Sequence, residues 1–411
     1  MNALPRRFAA FVLAAATPLS TSALPQQPFR TTTVVVEVDT IVTDARGQFI
    51  ADLTTDDFEV REDGKPQKIE RLYLVDGTSA RTVAAPGAPR ESAGEQAAPA
   101  VPPRVFVLVF DQDHLQESSF KRVKDAALAF LQSEFKAGDI GGVVLGGAMI
   151  GNRLTSDREA LMTAVRGAKP TATKTSRRVE MMEWPRLANE GEAVRIALSN
   201  DRDALAQAER RACQDDPAMC KSLDPEPMVM EKARTIVGEL RPAARRTVMT
   251  LQALAAGLAR VPGRKTIVLV SEGFFVEESW ADLRQIVGAA ARSNVRIYSL
   301  DARGVDTRQI NDLRLQTPTD PGGGLPLETY NTAEDGPNML AVDTGGRAFR
   351  HTNQFADALK EIARDTSRYY VLGYAPAVPA AEGSFHTIGV TVKRPGVIVR
   401  ARRGYLASKA P

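Results

Sequence analysis

From residue 104 onward, buried strands alternate with amphipathic helices, and this alternation limits the possible folds more than any other feature of the sequence. Val105 to Phe110 is a run of six apolar residues, which is typical of a strand buried on both faces of a sheet. Apolar residues then recur at helical spacing from Phe120 to Phe135. Further strands are predicted at Ile140 to Leu145, Lys265 to Val270 and Val295 to Leu300. The pattern predicts a mostly parallel, doubly wound, Rossmann-like α/β sheet.

The two ends of the chain carry a different pattern. Segments 28–78 and 367–408 contain β-branched residues that alternate with polar ones, and turn signals separate them. Two or three strands alone are marginally stable, so we expect both segments to form one small antiparallel β-sandwich. The α/β domain, residues 104–366, would then be inserted between them. Residues 79–103 are rich in Ala, Pro, Gly and Ser, which predicts a linker.

Two segments interrupt the α/β domain. Between about residues 170 and 262 no strand is predicted, and within about residues 185–260 the apolar spacing indicates two long helices, Ala188 to Arg211 and Met228 to Leu258. These helices would form an inserted helical hairpin. Residues 305–336 are rich in Gly, Pro, Thr and Asp, a composition typical of a mobile loop.

The N-terminal residues 1–23 have the order of a secretory signal peptide. Arg6 and Arg7 precede an apolar run from Phe8 to Pro18, and small residues follow up to Ala23. A membrane anchor is the alternative, but the run is shorter than the roughly 20 residues that span a bilayer. We therefore expect an exported protein, periplasmic or extracellular, with no transmembrane segment in the mature chain.

Export bears on the two cysteines of the chain, which lie at the tip of the predicted hairpin. Cys213 and Cys220 are separated by six residues. In an oxidising compartment a pair at this spacing can close a loop as a disulfide. A metal site would need further ligands, and no His lies near the pair in the sequence. The sequence favours a disulfide over two free thiols.

Charge composition argues against nucleic-acid binding. The chain of 411 residues has 53 Lys and Arg against 50 Asp and Glu, a net charge of +3, and the basic residues form no stripe. The three histidines lie in no arrangement with Ser, Cys or Asp that indicates nucleophilic catalysis. The composition therefore gives no indication of a nucleic-acid partner.

Acidic residues follow two of the predicted parallel strands. Asp111 and Asp113 come directly after the first strand, and Glu272 follows the strand that starts at Lys265. Ligands of doubly wound sheets bind beyond the carboxyl ends of strands, where the strand order reverses. If these two strands are neighbours, the three carboxylates converge, and such oxygen ligands suit Mg²⁺, Mn²⁺ or Ca²⁺. The alternative is a polar strand end hydrogen-bonded to loop amides. His114 is predicted to be a solvent-facing loop residue and not a ligand.

The sequence resembles a von Willebrand factor type A domain. The buried strand with its acidic loop is followed by GRKTIVLVSEGF and VRIYSLDARG in the order of that family. The flanking segments VVVEVDTIVTDARGQFIADLTTDDFEVREDGKPQKI, YYVLGYAP and VTVKRPGVIVRARRGYLA resemble exported bacterial proteins with an acidobacterial-type von Willebrand A-related domain. The resemblance covers most of residues 33–407, apart from the predicted hairpin.

The resemblance implies a metal-ion-dependent adhesion site. The family uses Asp-x-Ser-x-Ser after the first strand, a Thr from a later loop and an Asp after the fourth strand. Asp111 matches the first Asp and Glu272 the late one, whereas Asp113 and Leu115 replace the two serines. Candidates for the Thr are Thr171, Thr173 and Thr175. The motif is degenerate, because Leu115 cannot ligate and Asp113 adds a negative charge.

Three functional hypotheses follow from these observations. The first is an exported, non-enzymatic binding or assembly protein that presents the loops at the strand ends and the helical hairpin to a protein partner. The second is a structural envelope protein without a metal site. The third is a divalent-metal hydrolase that uses Asp111, Asp113 and Glu272, although no general base or nucleophile accompanies them.

Overall fold

The structure is a computed structural model that describes residues 35–83, 101–171, 173–274, 280–305, 328–376 and 384–407. The predicted signal peptide, residues 1–23, lies outside the described residues. The same holds for residues 84–100 of the predicted linker and for residues 306–327 of the predicted mobile loop. Within the described ranges, none of the helices combines the length and the apolar character needed to cross a bilayer.

A parallel sheet forms the centre of the structure. Its six strands lie in the order β11-β10-β9-β6-β7-β8, and all neighbouring pairs are parallel except β7 with β8. The strands are β6 (Val105–Phe110), β7 (Ile140–Leu145), β8 (Ala148–Met149), β9 (Lys265–Ser271), β10 (Val295–Asp301) and β11 (Ala348–Phe349). The chain leaves β6 toward β7 on one side and returns to β9 on the other. The predicted mixed α/β architecture with a parallel sheet is confirmed.

Helices cover both faces of this sheet. They are α1 (Glu117–Ser133), α2 (Arg158–Gly167), α8 (Trp280–Arg292), α9 (Glu328–Asp343) and α10 (Phe355–Ser367). Because successive side chains of a strand point to opposite faces, Phe106, Leu108 and Phe110 pack with α1 and α10, whereas the three valines of β6 pack with α8. All six residues of β6 are therefore buried. Helix α9 begins at Glu328, so the predicted loop 305–336 extended too far.

Two antiparallel sheets combine strands from both ends of the chain. One has the order β14-β1-β12-β4-β5 and the other β15-β13-β2-β3. The strands are β1 (Val36–Thr43), β2 (Phe58–Glu62), β3 (Lys65–Gln67), β4 (Ile69–Asp76), β5 (Ser79–Thr82), β12 (Arg368–Tyr374), β13 (Phe385–Val392), β14 (Ile398–Ala401) and β15 (Gly404–Leu406). The sheets share an apolar core that includes Val38, Phe58 and Tyr370. Strand β5 corrects the predicted linker, which was placed from residue 79.

The insertion after α2 is more divided than the predicted hairpin of residues 185–260. It contains α3 (Thr173–Met182), α4 (Glu190–Ala197), α5 (Arg202–Asp215), α6 (Pro217–Ser222) and α7 (Pro225–Gly257). The predicted helix from Ala188 to Arg211 is wrong, because the chain breaks at Asn200, whose φ is 51°, and Asp201 caps the N-terminus of α5. A disulfide joins Cys213 on α5 to Cys220 on α6, with the two Cα atoms 5.0 Å apart.

Helix α7 belongs to two cores. Its N-terminal part, including Val229, Ile236 and Leu240, packs with α4 and α5 in a core of their own. Its C-terminal part, including Val248 and Leu251, packs on the β6 and β9 face of the parallel sheet. The end of α7 therefore carries its side chains to the strand ends where Asp111 and Glu272 lie.

Candidate functional site

The carboxyl ends of β6 and β9 lie side by side, which is the condition on which the predicted convergence of the three carboxylates depended. The two strands are parallel neighbours, with Phe110 opposite Val270, and the Asp111 amide donates to the Val270 carbonyl at 2.9 Å. Asp111 therefore lies directly beyond β6, and Glu272 directly beyond β9. This is the point where the strand order reverses, and ligands of doubly wound sheets commonly bind there.

Asp111 is buried and accepts hydrogen bonds on both carboxylate oxygens. The Thr247 hydroxyl donates to Oδ1 at 2.8 Å, and the Ser271 hydroxyl donates to Oδ2 at 2.8 Å. His114 Nδ1 lies 2.9 Å from the same Oδ2. Burial raises the pKa of Asp111, but the charge of His114 and the three hydrogen bonds outweigh it, so the pKa lies below the usual range of an aspartate.

His114 corrects the prediction of a solvent-facing loop residue. Only 1% of its surface is exposed, and its ring lies 5.8 Å from the ring of Phe274, centroid to centroid. Its backbone is also fixed, because the His114 carbonyl accepts from the Glu272 amide at 3.2 Å. His114 therefore joins the loop after β6 to the loop after β9, and its imidazole acts as an internal partner of the Asp111 carboxylate.

Asp113 forms an ion pair with a residue of the insertion. Arg246 on α7 donates from Nε at 2.8 Å and from Nη2 at 2.7 Å, both to Asp113 Oδ2. The Thr171 hydroxyl lies 3.2 Å from Asp113 Oδ1, and the same hydroxyl donates to the Gln112 carbonyl at 3.0 Å. Thr171 is one of the three threonines that the resemblance nominated. Its hydroxyl lies within hydrogen-bond distance of both the Gln112 carbonyl and the Asp113 carboxylate.

Glu272 is turned toward the loop backbone. It is 4% exposed, and its Oε1 accepts from the Gln116 amide at 2.9 Å. Leu115, at the position of a metal-ligating serine in the resemblance, is fully buried in the core between the sheet and α1. The loop is therefore held by backbone hydrogen bonds and apolar packing.

These residues do not fit a divalent ion. In the part of the chain that the structure describes, a single group of three or more His, Cys, Asp or Glu side chains has ligand atoms all within 4.8 Å of one another, and it excludes Asp111, Asp113 and Glu272. An ion between these carboxylates would have to displace internal donors, among them the guanidinium of Arg246. Binding of Mg²⁺ or Mn²⁺ stays a prediction, and the contacts of the three carboxylates argue against it.

Thr247 and Arg246 were missed by sequence reasoning. Ala243, Thr247 and Leu251 follow one another at helical spacing on the buried face of α7. A threonine in such an apolar stripe can be recognised in the sequence, and it predicts a polar contact because a buried hydroxyl needs a hydrogen-bond partner. Arg246 gives no comparable signal, since an exposed arginine on a helix is common.

A cleft of about 230 Å³ opens beside these residues. It lies between the ends of β6 and β7 and helix α7, and its lining includes Asp111, Asp113, Gly146, Gly147 and Arg246. Gly146 and Gly147 have φ values of 57° and 81°, which favour glycine, and they add no side chain of their own to the cleft. The Arg246 side chain is 56% exposed, so its guanidinium is accessible from solvent.

The arrangement lacks the geometry of a hydrolytic triad. The Ser271 hydroxyl donates to the Asp111 carboxylate, whereas a nucleophile would have to bond to the imidazole that removes its proton. Serine, histidine and aspartate meet here, but both His114 and Ser271 bond to Asp111.

Comparisons with known proteins give only a distant similarity. No protein-family model matches the sequence, and no curated protein matches it. Among solved structures, the chain is similar to an aerotolerance-related membrane protein from Bacteroides fragilis NCTC 9343, crystallised with multiple mutations to serines. The match covers 64% of this chain and 98% of that chain, at 11% sequence identity and a TM-score of 0.31. A similarity this distant carries no argument about function.

Proposed function

We propose that this chain is an exported, non-enzymatic binding protein with a domain of the von Willebrand A type, inserted into a sandwich built from both chain ends. Its adhesion site is degenerate and works without a metal ion. The observation that carries the proposal is the Arg246–Asp113 ion pair at the mouth of the cleft, because it places a cation of the chain itself beside the strand-end carboxylates.

Charge neutralisation supports this reading. The buried Asp111 carboxylate is matched by His114 and two hydroxyl donors, and Asp113 is matched by a guanidinium. A divalent ion would add charge beside Asp111 and Asp113, which already have internal partners, and it would have to remove the hydrogen bonds of Asp111. A metal-free site is therefore the reading that the contacts favour.

Arg246 also indicates the chemistry of the partner. A guanidinium recognises carboxylates and phosphates by paired hydrogen bonds, and this one is more than half exposed. The expected partner is a protein that presents an acidic side chain to the cleft. A purely structural envelope role would need no accessible cleft. A divalent-metal hydrolase is disfavoured because Asp111 and Asp113 already bond to side chains of the protein.

A charge reversal on α7 tests the proposal. We expect the purified wild-type chain to capture a specific protein from an envelope extract of the source bacterium. The Arg246→Glu variant should bind that protein with an affinity at least about tenfold lower. Arg245→Glu is the matched control, since Arg245 is the exposed neighbour on the same helix. Both variants keep the same net charge, so a difference between them reports on the cleft.

Two results would contradict the proposal. Equal capture by Arg246→Glu and Arg245→Glu would remove Arg246 and the cleft from the binding surface. Turnover of ester or phosphoester substrates by the wild-type chain with Mn²⁺, lost in Asp111→Asn, would replace the binding function by the hydrolase hypothesis.

A further inference from the structure

A second polar cluster lies in the antiparallel sheets, outside the site described above. It consists of Glu62 at the end of β2, Asp63 in the turn that follows, and His386 on β13. Strand β13 pairs with β2, and Ile388 lies opposite Glu62, so the pairing of the two chain ends brings these side chains together. This cluster is the group whose ligand atoms all lie within 4.8 Å of one another.

The distances in the cluster match those between ligands of one metal ion. His386 Nδ1 lies 2.8 Å from Asp63 Oδ2 and 3.4 Å from Glu62 Oε1. Ligands at 2.0 to 2.2 Å from a common ion are separated by about 2.8 to 3.6 Å, from octahedral to tetrahedral geometry. The imidazole nitrogen and the two carboxylates can therefore reach one ion with small side-chain adjustments.

Each ligand is also oriented by a second hydrogen bond. His386 Nε2 lies 2.7 Å from the Ser384 hydroxyl, which can accept a hydrogen bond from Nε2–H when Nδ1 binds an ion. The Thr387 amide and hydroxyl donate to Asp63 Oδ1 at 2.8 and 3.0 Å, and the Tyr405 hydroxyl donates to Glu62 Oε1 at 3.1 Å. Such outer contacts are typical of metal ligands, because they fix the tautomer and the side-chain direction.

Glu62 brings a nearly buried carboxylate to the cluster. The residue is 6% exposed, and its Oε2 lacks a hydrogen bond of standard geometry, as does the neighbouring hydroxyl of Tyr374, whose pKa is raised by burial and by Glu62. Burial of a carboxylate charge is costly, and a cation bound to the carboxylate would reduce that cost. The carboxylate is also in place for such an ion, since its Oε1 faces His386 Nδ1.

We propose that Glu62, Asp63 and His386 form a binding site for a divalent transition-metal ion, and that Zn²⁺ is the ion it takes in an exported protein. One imidazole nitrogen and two carboxylates suit Zn²⁺ better than Mg²⁺, which prefers oxygen ligands alone. The two carboxylates neutralise the charge of the ion. Asp63 is about half exposed, so water completes the coordination. The ion would tie the turn between β2 and β3 to β13 and so join the two ends of the chain.

Titration of the tag-free chain with ZnCl₂, after treatment with a chelator and with the disulfide intact, tests this site. We expect calorimetry to show one Zn²⁺ per wild-type chain, with affinity at least about tenfold lower in Asp63→Asn and His386→Gln. Asp56→Asn is the matched control, because Asp56 is an exposed acid of the same region. Absence of Zn²⁺ binding to the wild-type chain, or equal affinity in all four proteins, would overturn the proposal.

A second measurement keeps the test valid if a variant unfolds. The chain has three histidines, so ¹⁵N-labelled histidine gives a short spectrum of the wild-type protein. Addition of one equivalent of Zn²⁺ should shift Nδ1 of His386 and leave His114 and His351 unchanged. A shift confined to either of the other histidines would place the ion elsewhere and refute the site.

Discussion

Replacing Asp111 by asparagine tests the central contact of the candidate site. Asparagine has nearly the same shape but no charge, and it cannot accept from all three donors that converge on the carboxylate. Ser271 and His114 both point at Oδ2, so an amide nitrogen there would face two donors. If the amide flips, its nitrogen faces Thr247 and the carbonyl keeps the other two partners.

The expected loss in the free energy of unfolding follows from the loss of charge in these three contacts. Hydrogen bonds to charged groups contribute about 1 kcal/mol more than neutral ones, so the charge is worth about 3 kcal/mol before the cost of its burial. The pKa of Asp111 lies below its usual range, which means that the folded protein favours the charged form in spite of burial. Asp111→Asn should therefore destabilise the protein by about 2 to 3 kcal/mol at neutral pH.

Urea unfolding followed by circular dichroism measures this loss. Asp113→Asn is the control, because its partner Arg246 is largely exposed and such pairs contribute about 1 kcal/mol or less. A carboxylate with a lowered folded pKa stabilises the protein above its unfolded pKa, and this stabilisation is lost as pH falls through the folded pKa. The gap between wild type and Asp111→Asn should persist at pH 5 and narrow under more acidic conditions.

Two outcomes would refute the reasoning. If Asp111→Asn costs no more than Asp113→Asn, the three hydrogen bonds do not favour the charged form of Asp111. If the gap between wild type and Asp111→Asn widens as the pH falls, the sign of the pKa shift is wrong, and the carboxylate is destabilised in the folded protein.

Two further predictions concern the disulfide and the metal. Cys213→Ser should lower stability by at most about 2.5 kcal/mol, the loop-closure entropy for a ring of this size, as measured by urea unfolding. A thiol that reacts with a labelling reagent in oxidised wild-type protein would contradict the disulfide. The metal test uses an Asp63→Asn variant, so that the second proposed metal site cannot contribute. Millimolar Mg²⁺ or Mn²⁺ should leave the melting temperature of this variant unchanged, because Arg246 already pairs with Asp113 at the strand-end site. A rise in that temperature, abolished by a further Asp111→Ala change, would restore the metal-dependent reading.

The strands of the parallel sheet were predictable because their signal is local. Six consecutive apolar residues from Val105 to Phe110 have few alternatives to a doubly buried strand, and the structure places β6 there. The helix break at Asn200 in the insertion could also have been predicted from the sequence. Asp201 directly precedes a helical stretch and is a favoured N-terminal cap, a signal that the prediction of one continuous helix did not use.

The contacts of the site depend on residues far apart in the chain, and here sequence reasoning reached its limit. Thr247 bonds to a carboxylate 136 positions earlier, and Arg246 pairs with one 133 positions earlier. No local pattern indicates which helix of the insertion returns to the strand ends. His114 was predicted to face solvent, but it is buried in contact with Asp111 and with Phe274 beyond β9.

The departures from the adhesion motif are consistent with one another in the structure. Leu115 cannot hold an ion, and it packs in the core, so the loop after β6 is anchored by apolar contact where a metal would otherwise anchor it. Asp113 adds a charge, and Arg246 neutralises it from the insertion. Without the packing of Leu115 the loop after β6 would be loose, and without Arg246 the carboxylate of Asp113 would be unpaired. Because both are compensated, we expect the binding face to be formed in the folded chain without Mg²⁺, and partner capture to be independent of that ion.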